Sequence, residues 1–265
     1  MLRRTRLPGR SRGFSLIELA IGLVIVAVLL SSLLVPLVTQ VDQRRTAETQ
    51  RLLDEARSAL IGFVAANRRF PCPAVAASNG IESPVGGGNC TSSDGFLPAA
   101  TLGLTPVDPQ GFQTDPFGNQ TNRIRYAIAD VAIGGADTFT TTGGMTTATM
   151  NGIATSAAAG NLLIVCSTAS ASATNCSAGV PLANGSAVAV IYSVGKNGVL
   201  YTGGCATPAS TCVGVSADET ENVDLNRVYV SRPQSAATGA EFDDMLVWIS
   251  PSMLFGRLIS AGQQP

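Results

Sequence analysis

Histidine is absent from this sequence of 265 residues, so no imidazole can act as a general base or a metal ligand. That absence excludes catalytic triads of the Ser-His-Asp type and histidine-dependent cysteine nucleophiles. A zinc site would need an unusual ligand set, because none of the six cysteines stands in a CxxC pair. The adjacent acids Asp243 and Asp244 could support glycosidase-type chemistry, but such pairs usually mark a solvated turn before a strand. We therefore expect no enzymatic activity.

Charged residues are scarce as well, at 13% of the chain against 45% apolar residues. Five arginines lie within the first thirteen residues: Arg3, Arg4, Arg6, Arg10 and Arg12. Without that segment the basic residues fall from 17 to 12 against 18 acids, which leaves a net charge of about −6. A domain of that sign is a poor candidate for binding nucleic acid, and we expect no nucleic-acid partner.

The six cysteines favour disulfides in an oxidising compartment, since their number is even and their spacings are typical of loops. The sequence does not fix their connectivity. Loop closure favours pairing between nearest neighbours. The pairs expected on that ground are Cys72–Cys90, Cys166–Cys176 and Cys205–Cys212.

An uncharged run of twenty residues, Leu19 to Val38, is long enough as a helix to cross a bilayer core of about 30 Å. Because the arginines precede it, the positive-inside rule predicts a cytoplasmic N-terminus and an exported C-terminal head. The alternatives are a secretory signal peptide and a plain membrane anchor. No small-x-small cleavage site follows the run before Asp42, which disfavours the first. A plain anchor does not explain Glu18, a carboxylate at the head of an apolar span.

The segment Gly13-Phe14-Ser15-Leu16-Ile17-Glu18, between the basic leader and the apolar run, resembles the type III signal of type IV prepilins and type II secretion pseudopilins. The resemblance implies that prepilin peptidase cleaves after Gly13 and that Phe14 is then N-methylated. It also implies that Glu18, at position +5, meets the N-terminal amine of a neighbouring subunit in a filament. A buried carboxylate paired with an ammonium group is tolerated and fixes register, whereas an isolated one is strongly disfavoured. Pro36 lies at +23, one residue beyond the usual position of the family's helix-bending proline.

The sequence predicts an α+β fold of the pilin type, in which a long N-terminal helix packs on a mostly antiparallel sheet. Its predicted parts are a leader (1–13), a transmembrane or filament-core half of the helix (14–38), an amphipathic half (39–69) and a disulfide-stapled head (70–265). Apolar residues at three- and four-residue spacings continue the helix beyond the membrane, and Phe70-Pro71-Cys72-Pro73 ends it.

Within the head, five segments rich in β-branched residues are predicted strands: Ile124–Ile133, Leu162–Ser167, Ala187–Val194, Val228–Ser231 and Met245–Ile249. Residues 74–124 and 134–160 are predicted loops or inserts, and Met253–Ala261 a terminal helix. Trp248, in an alternating strand, is expected to face the core or the helix.

Two further segments resemble the major pseudopilin of type II secretion. Asp115-Pro116-Phe117-Gly118-Asn119, together with Tyr126, is similar to its aspartate-proline-tryptophan-glycine segment, and Ile191–Gly198 with Glu221–Leu225 resembles its calcium loop. The resemblance implies calcium ligands at Asn197, Asn222 and Asp224, with Asn197 replacing an aspartate and weakening the site. The run Asp218–Asn226 offers oxygen ligands at alternating positions, but a run of this kind is more often an acidic, solvated loop.

These observations predict a structural subunit of a type IV pilus-like or type II secretion filament. The expected partners are prepilin peptidase, the inner membrane and other subunits, which the N-terminal helix would contact. The expected location is the bacterial inner membrane, crossed once, and then a filament or the cell surface. The length from Phe14 to Pro265 exceeds that typical of the family's major pilins and favours a minor subunit. The alternatives are a pilus-displayed adhesin that uses the inserts 74–114 and 134–160, and a membrane-anchored enzyme.

Overall fold

The structure is a computed structural model that describes most of the chain. The described residues are 15–117, 122–133, 136–147, 161–170, 172, 174–177, 179–196 and 216–262. The chain divides into two compact units, with the boundary between Thr46 and Ala47. Across the described residues, no helix combines the length and the apolar character needed to span a membrane.

The longest element is helix α1, Leu16–Asn67, whose 52 residues agree with the long N-terminal helix predicted from the sequence. Its C-terminal part buries side chains at three- and four-residue spacings: Leu52, Leu53, Ala56, Leu60 and Val64. Charged residues occupy another side, where Arg51 lies 2.7 Å from Glu48 and 3.0 Å from Glu55. The helix ends before Arg68, whose φ of +55° lies outside the right-handed helical region.

The described strands are β1 Asp94–Phe96, β2 Arg125–Ile128, β3 Ala132–Ile133, β4 Ala136–Asp137, β5 Leu163–Cys166, β6 Pro181–Ala187, β7 Ala189–Ser193, β8 Val228–Val230 and β9 Met245–Ile249. The main sheet has the order β1-β2-β7-β9, and every neighbouring pair in it is antiparallel. This sheet and the buried face of α1 share one hydrophobic core. The α+β arrangement of a helix on a mostly antiparallel sheet is therefore confirmed.

Smaller elements complete the head. A three-stranded sheet has the order β6-β5-β8, in which β5 and β8 run parallel, and β3 pairs with β4. The remaining described helices are α2 Ala99–Leu102, α3 Gly144–Thr147, α4 Ala217–Glu221 and α5 Pro251–Ser260. Helix α5 matches the predicted terminal helix and buries Leu254, Phe255 and Leu258. Trp248 is half-buried and packs against the core, whereas the buried residues of β9 are Met245, Val247 and Ile249.

The structure corrects several sequence predictions. The segment predicted as one strand, Ile124–Ile133, is interrupted at Ala129, Asp130 and Val131 and forms β2 and β3. The predicted loop 74–124 contains strand β1 and helix α2, and β6 was not predicted. The acid pair predicted to lie in a solvated turn is not solvated, because Asp244 is buried.

Candidate functional site

The N-terminal end of α1 presents apolar side chains without cover from the rest of its own unit. Every described residue from Ser15 to Val28 is exposed, and the large apolar ones have between 51% and 88% of their surface accessible. Glu18 lies in the first turn, where its Oε2 accepts a hydrogen bond from the Ser15 amide at 3.3 Å. An acidic group at the N-terminal end of a helix interacts favourably with the helix dipole. Gly13 and Phe14 lie outside the described residues.

A buried ion pair lies just after the C-terminal end of α1. Arg69 donates to both carboxylate oxygens of Glu82 at 2.7 Å, and the two side chains are only 8% and 5% exposed. The same carboxylate accepts hydrogen bonds from the amides of Cys72 and Gly86, each at 3.2 Å. The Cys72–Cys90 disulfide closes this loop. The connection between helix and head is thus fixed by covalent, ionic and backbone contacts together.

The other described cysteines, Cys166 and Cys176, also form a disulfide, which links the end of β5 to the segment before β6. Both observed bridges agree with the nearest-neighbour pairing expected from the sequence. Cys205 and Cys212 lie outside the described residues, so their pairing stays a prediction.

The segment that resembles the aspartate-proline-tryptophan-glycine motif anchors the end of β7. Asp115 is buried, and its side chain accepts hydrogen bonds from the Ser193 hydroxyl and, at 3.0 Å, from the Phe117 amide. Asn122 donates its amide to the carbonyl oxygen of Gly195. This segment therefore holds the turn at Gly195 in place through buried polar contacts.

A second buried acid, Asp94 of β1, lies between two tyrosines. Tyr229 donates to its Oδ2 at 2.6 Å and Tyr192 at 3.2 Å, and Arg125 is close enough to interact electrostatically. Burial raises the pKa of Asp94 to about 6, although the hydrogen bond from Tyr229 and the charge of Arg125 oppose that rise. The site joins three strands that are distant in sequence.

Three acids converge between helix α4 and the start of β9. Glu219, Asp243 and Asp244 each place a carboxylate oxygen within 4.8 Å of the other two. Glu219 belongs to a capping box with Ser216, and its Oε1 accepts the Asp243 amide at 3.1 Å. Asp244 accepts a hydrogen bond from the Asn222 amide group at 2.7 Å. We call these three residues the acid cluster.

Ionisation within this region is unfavourable. Burial raises the pKa of Asp244 well above its ordinary range; the Asn222 hydrogen bond opposes that rise, and the carboxylates of Glu219 and Asp243 add to it. Burial, together with the nearby charge of Asp224, raises the pKa of Glu221 to about 7. An all-oxygen group of this kind suits a hard divalent cation.

The comparisons with known proteins give a finding for the N-terminal segment. Residues 8–34 match the family model of the prokaryotic N-terminal methylation motif. Residues 8–34 are a prepilin-type methylation motif. Such motifs are the signal of type IV pilins and pseudopilins, and the match covers this N-terminal segment of the chain. No curated protein and no solved structure matched the chain.

Gly13, Phe14 and Glu18 all fall within the methylation motif, as the sequence resemblance indicated. Of the predicted calcium ligands, Asn197 lies outside the described residues. Asn222 has its Oδ1 engaged by the Val230 amide at 2.6 Å, and Asp224 accepts the Asn226 amide at 3.0 Å. That ligand set stays a prediction.

Sequence reasoning missed the acid cluster, although two signals were present. The adjacent acids before β9 and the capping-box glutamate were both visible in the sequence. Only the fold shows that these segments, more than twenty residues apart, meet at one point.

Proposed function

We propose that this chain is a structural subunit of a type IV pilus-like or type II secretion filament. The methylation motif at residues 8–34 carries the proposal, because it marks precursors that enter such filaments. The rest of the architecture fits this role. The motif runs into helix α1, and α1 leads into an α+β head that contains disulfides.

The exposed apolar surface at the start of α1 requires a partner. From Leu16 to Val28 the large side chains other than Glu18 are apolar on all sides of the helix and more than half exposed. A helix of this kind is stable only where lipid or other helices cover it. In the proposed function the inner membrane covers this apolar surface first, and the helices of neighbouring subunits cover it after assembly.

Glu18 would fix the position of each subunit along the filament. Cleavage after Gly13 would create an amine at Phe14, four residues before Glu18 in the sequence, and Glu18 lies in the first turn of α1. Among packed apolar helices, a carboxylate is tolerated when an ammonium group from a neighbour pairs with it. Processing by prepilin peptidase would therefore produce the group that assembly needs.

The proposed orientation places the arginine-rich leader in the cytoplasm and the head in the periplasm. The disulfides Cys72–Cys90 and Cys166–Cys176 support an oxidising compartment for the head. A minor position in the filament is the finer proposal, and its support is the length of the segment from Phe14 to Pro265.

Substitution at Glu18 tests the proposal in the native host. We expect Glu18→Val to leave membrane insertion and cleavage intact but to lower recovery in sheared filaments by about tenfold or more, because the amine of a neighbour loses its partner. Immunoblots of membrane and sheared fractions measure both effects. Gly13→Leu should instead leave an uncleaved precursor band.

The matched control is Glu48→Val, which removes another exposed glutamate from the same helix. We expect that variant to assemble normally. Normal incorporation of Glu18→Val would contradict the pairing, and cleavage of Gly13→Leu at the wild-type rate would contradict processing at this site.

A further inference from the structure

The acid cluster is built from segments that the sequence keeps far apart. Glu219 comes from helix α4, and Asp243 and Asp244 directly precede β9. The turn after β7 reaches the same place, because the Lys196 amide donates to Asp243 Oδ2 at 3.0 Å. Gly195 is required there: its φ is +62°, and an added Cβ would lie 2.1 Å from Asp243 Oδ1.

A hydrogen bond from Asn222 fixes the orientation of the Asp244 side chain. Asn222 donates to Asp244 Oδ2 at 2.7 Å, and the Asn222 amide group is itself held by both backbone groups of Val230, at 2.6 Å and 3.2 Å. The side chain of Asn222 therefore acts as a rigid support. The other oxygen of Asp244, Oδ1, takes no part in these hydrogen bonds.

That other oxygen is the independent sign of a ligand. Asp244 is only 3% exposed, and its Oδ1 has no hydrogen-bond partner among the described residues. A buried carboxylate oxygen without a partner is costly, and two more carboxylates within 4.8 Å increase the cost. A bound cation would remove both penalties at once.

We propose that Glu219, Asp243 and Asp244 bind a calcium ion that ties helix α4 to the start of β9. The donors are all carboxylate oxygens, which suit hard divalent cations rather than zinc or copper. Oxygens on one ion lie at most twice the ion–oxygen distance apart, about 5 Å for calcium and about 4 Å for magnesium. The donor oxygens lie within 4.8 Å of one another, which is inside the limit for calcium, and calcium tolerates an irregular arrangement of ligands better than magnesium does.

This assignment differs from the ligands that the sequence resemblance implied. Asn222 becomes a positioning residue that acts through Asp244, and Asp224 has no part in the site. The inference is also independent of the proposed filament function, since it concerns only the stability of the head.

Calcium titration of the full-length protein, purified in detergent and freed of metal by a chelator, tests the assignment. We expect calorimetry to show one bound ion. Saturating calcium should raise the melting temperature, followed by Trp248 fluorescence, by about 5 °C or more, because the ion binds the folded state. Asp244→Asn and Glu219→Gln should each weaken binding by about tenfold or more. In chelator, Asp244→Asn should melt at or above the wild-type temperature, since the variant has no carboxyl group that is costly to ionise in the buried site.

Two controls locate the site. Asp224→Asn probes the loop implied by the resemblance, and Asp130→Asn removes an exposed acid elsewhere; both should bind calcium as the wild type does. Loss of binding in Asp224→Asn with retention in Asp244→Asn would overturn the assignment. So would the absence of any shift at ~5 mM calcium, a concentration above the weakest range of calcium modules. A larger shift with magnesium than with calcium would overturn the choice of ion.

Discussion

Replacement of Arg69 by methionine is the sharpest test of how the head is fastened to the end of α1. Methionine keeps most of the aliphatic volume but removes the guanidinium group that holds both oxygens of Glu82. The carboxylate would remain buried with only the amides of Cys72 and Gly86 as donors. Breaking a buried pair from one side costs about 3–5 kcal/mol of unfolding free energy, because an uncompensated charge is left inside.

Arg51 supplies the matched control. Its guanidinium contacts two carboxylates at 2.7 and 3.0 Å, distances like those at Arg69, but its side chain is 57% exposed. We expect no measurable loss of stability in Arg51→Met, since water replaces the lost contacts. Urea denaturation followed by fluorescence is suitable for both variants, because Trp248 is the single tryptophan of the chain and is half-buried against the core.

A double-mutant cycle completes this test. Glu82→Gln should destabilise the head by a similar amount, and the double variant Arg69→Met/Glu82→Gln should lose less than the sum by about 2 kcal/mol or more. Equal losses in the Arg69 and Arg51 variants would refute the argument from burial. If the stability losses of the two single variants added exactly in the double variant, the argument that the two buried charges stabilise each other would be refuted.

Two further predictions concern the head. Because the pKa of Asp94 is raised to about 6, the folded state holds its proton more tightly, and stability should fall by up to about 3 kcal/mol as the pH rises from about 4 to above 6. Asp94→Asn should abolish that dependence in melting curves, and an unchanged pH profile would contradict the assignment. Removal of the Cys72–Cys90 bridge by Cys72→Ser/Cys90→Ser should lower the free energy of unfolding by about 3 kcal/mol, as for closure of a loop of this size. Urea denaturation measures the loss, and an unchanged free energy of unfolding would contradict a stabilising role for this bridge.

Local patterns explain what the sequence predicted well. Residues of α1 such as Leu53, Leu60 and Val64 repeat at helical spacing, and Pro71 marks the point beyond which the helix does not continue. The two observed disulfides join nearest neighbours because short loops close most easily.

Contacts between distant segments explain what the sequence could not give. Strand β1 contains Asp94, which is an unfavourable strand residue until Tyr192 and Tyr229 bury it and donate to it. Strand β6 contains proline, glycine and asparagine and has little strand propensity of its own. Adjacent acids are usually solvated, but Asp244 is buried and accepts a hydrogen bond from Asn222, which β8 holds in place.

Intact-mass spectrometry of the protein from sheared filaments and from membranes of its host tests the central claim most directly. The filament account predicts a chain that begins at N-methylated Phe14 and carries its disulfides, with a share of it in the sheared fraction. A mass that retains residues 1–13, found only in membranes, would contradict the account and leave a plain membrane anchor.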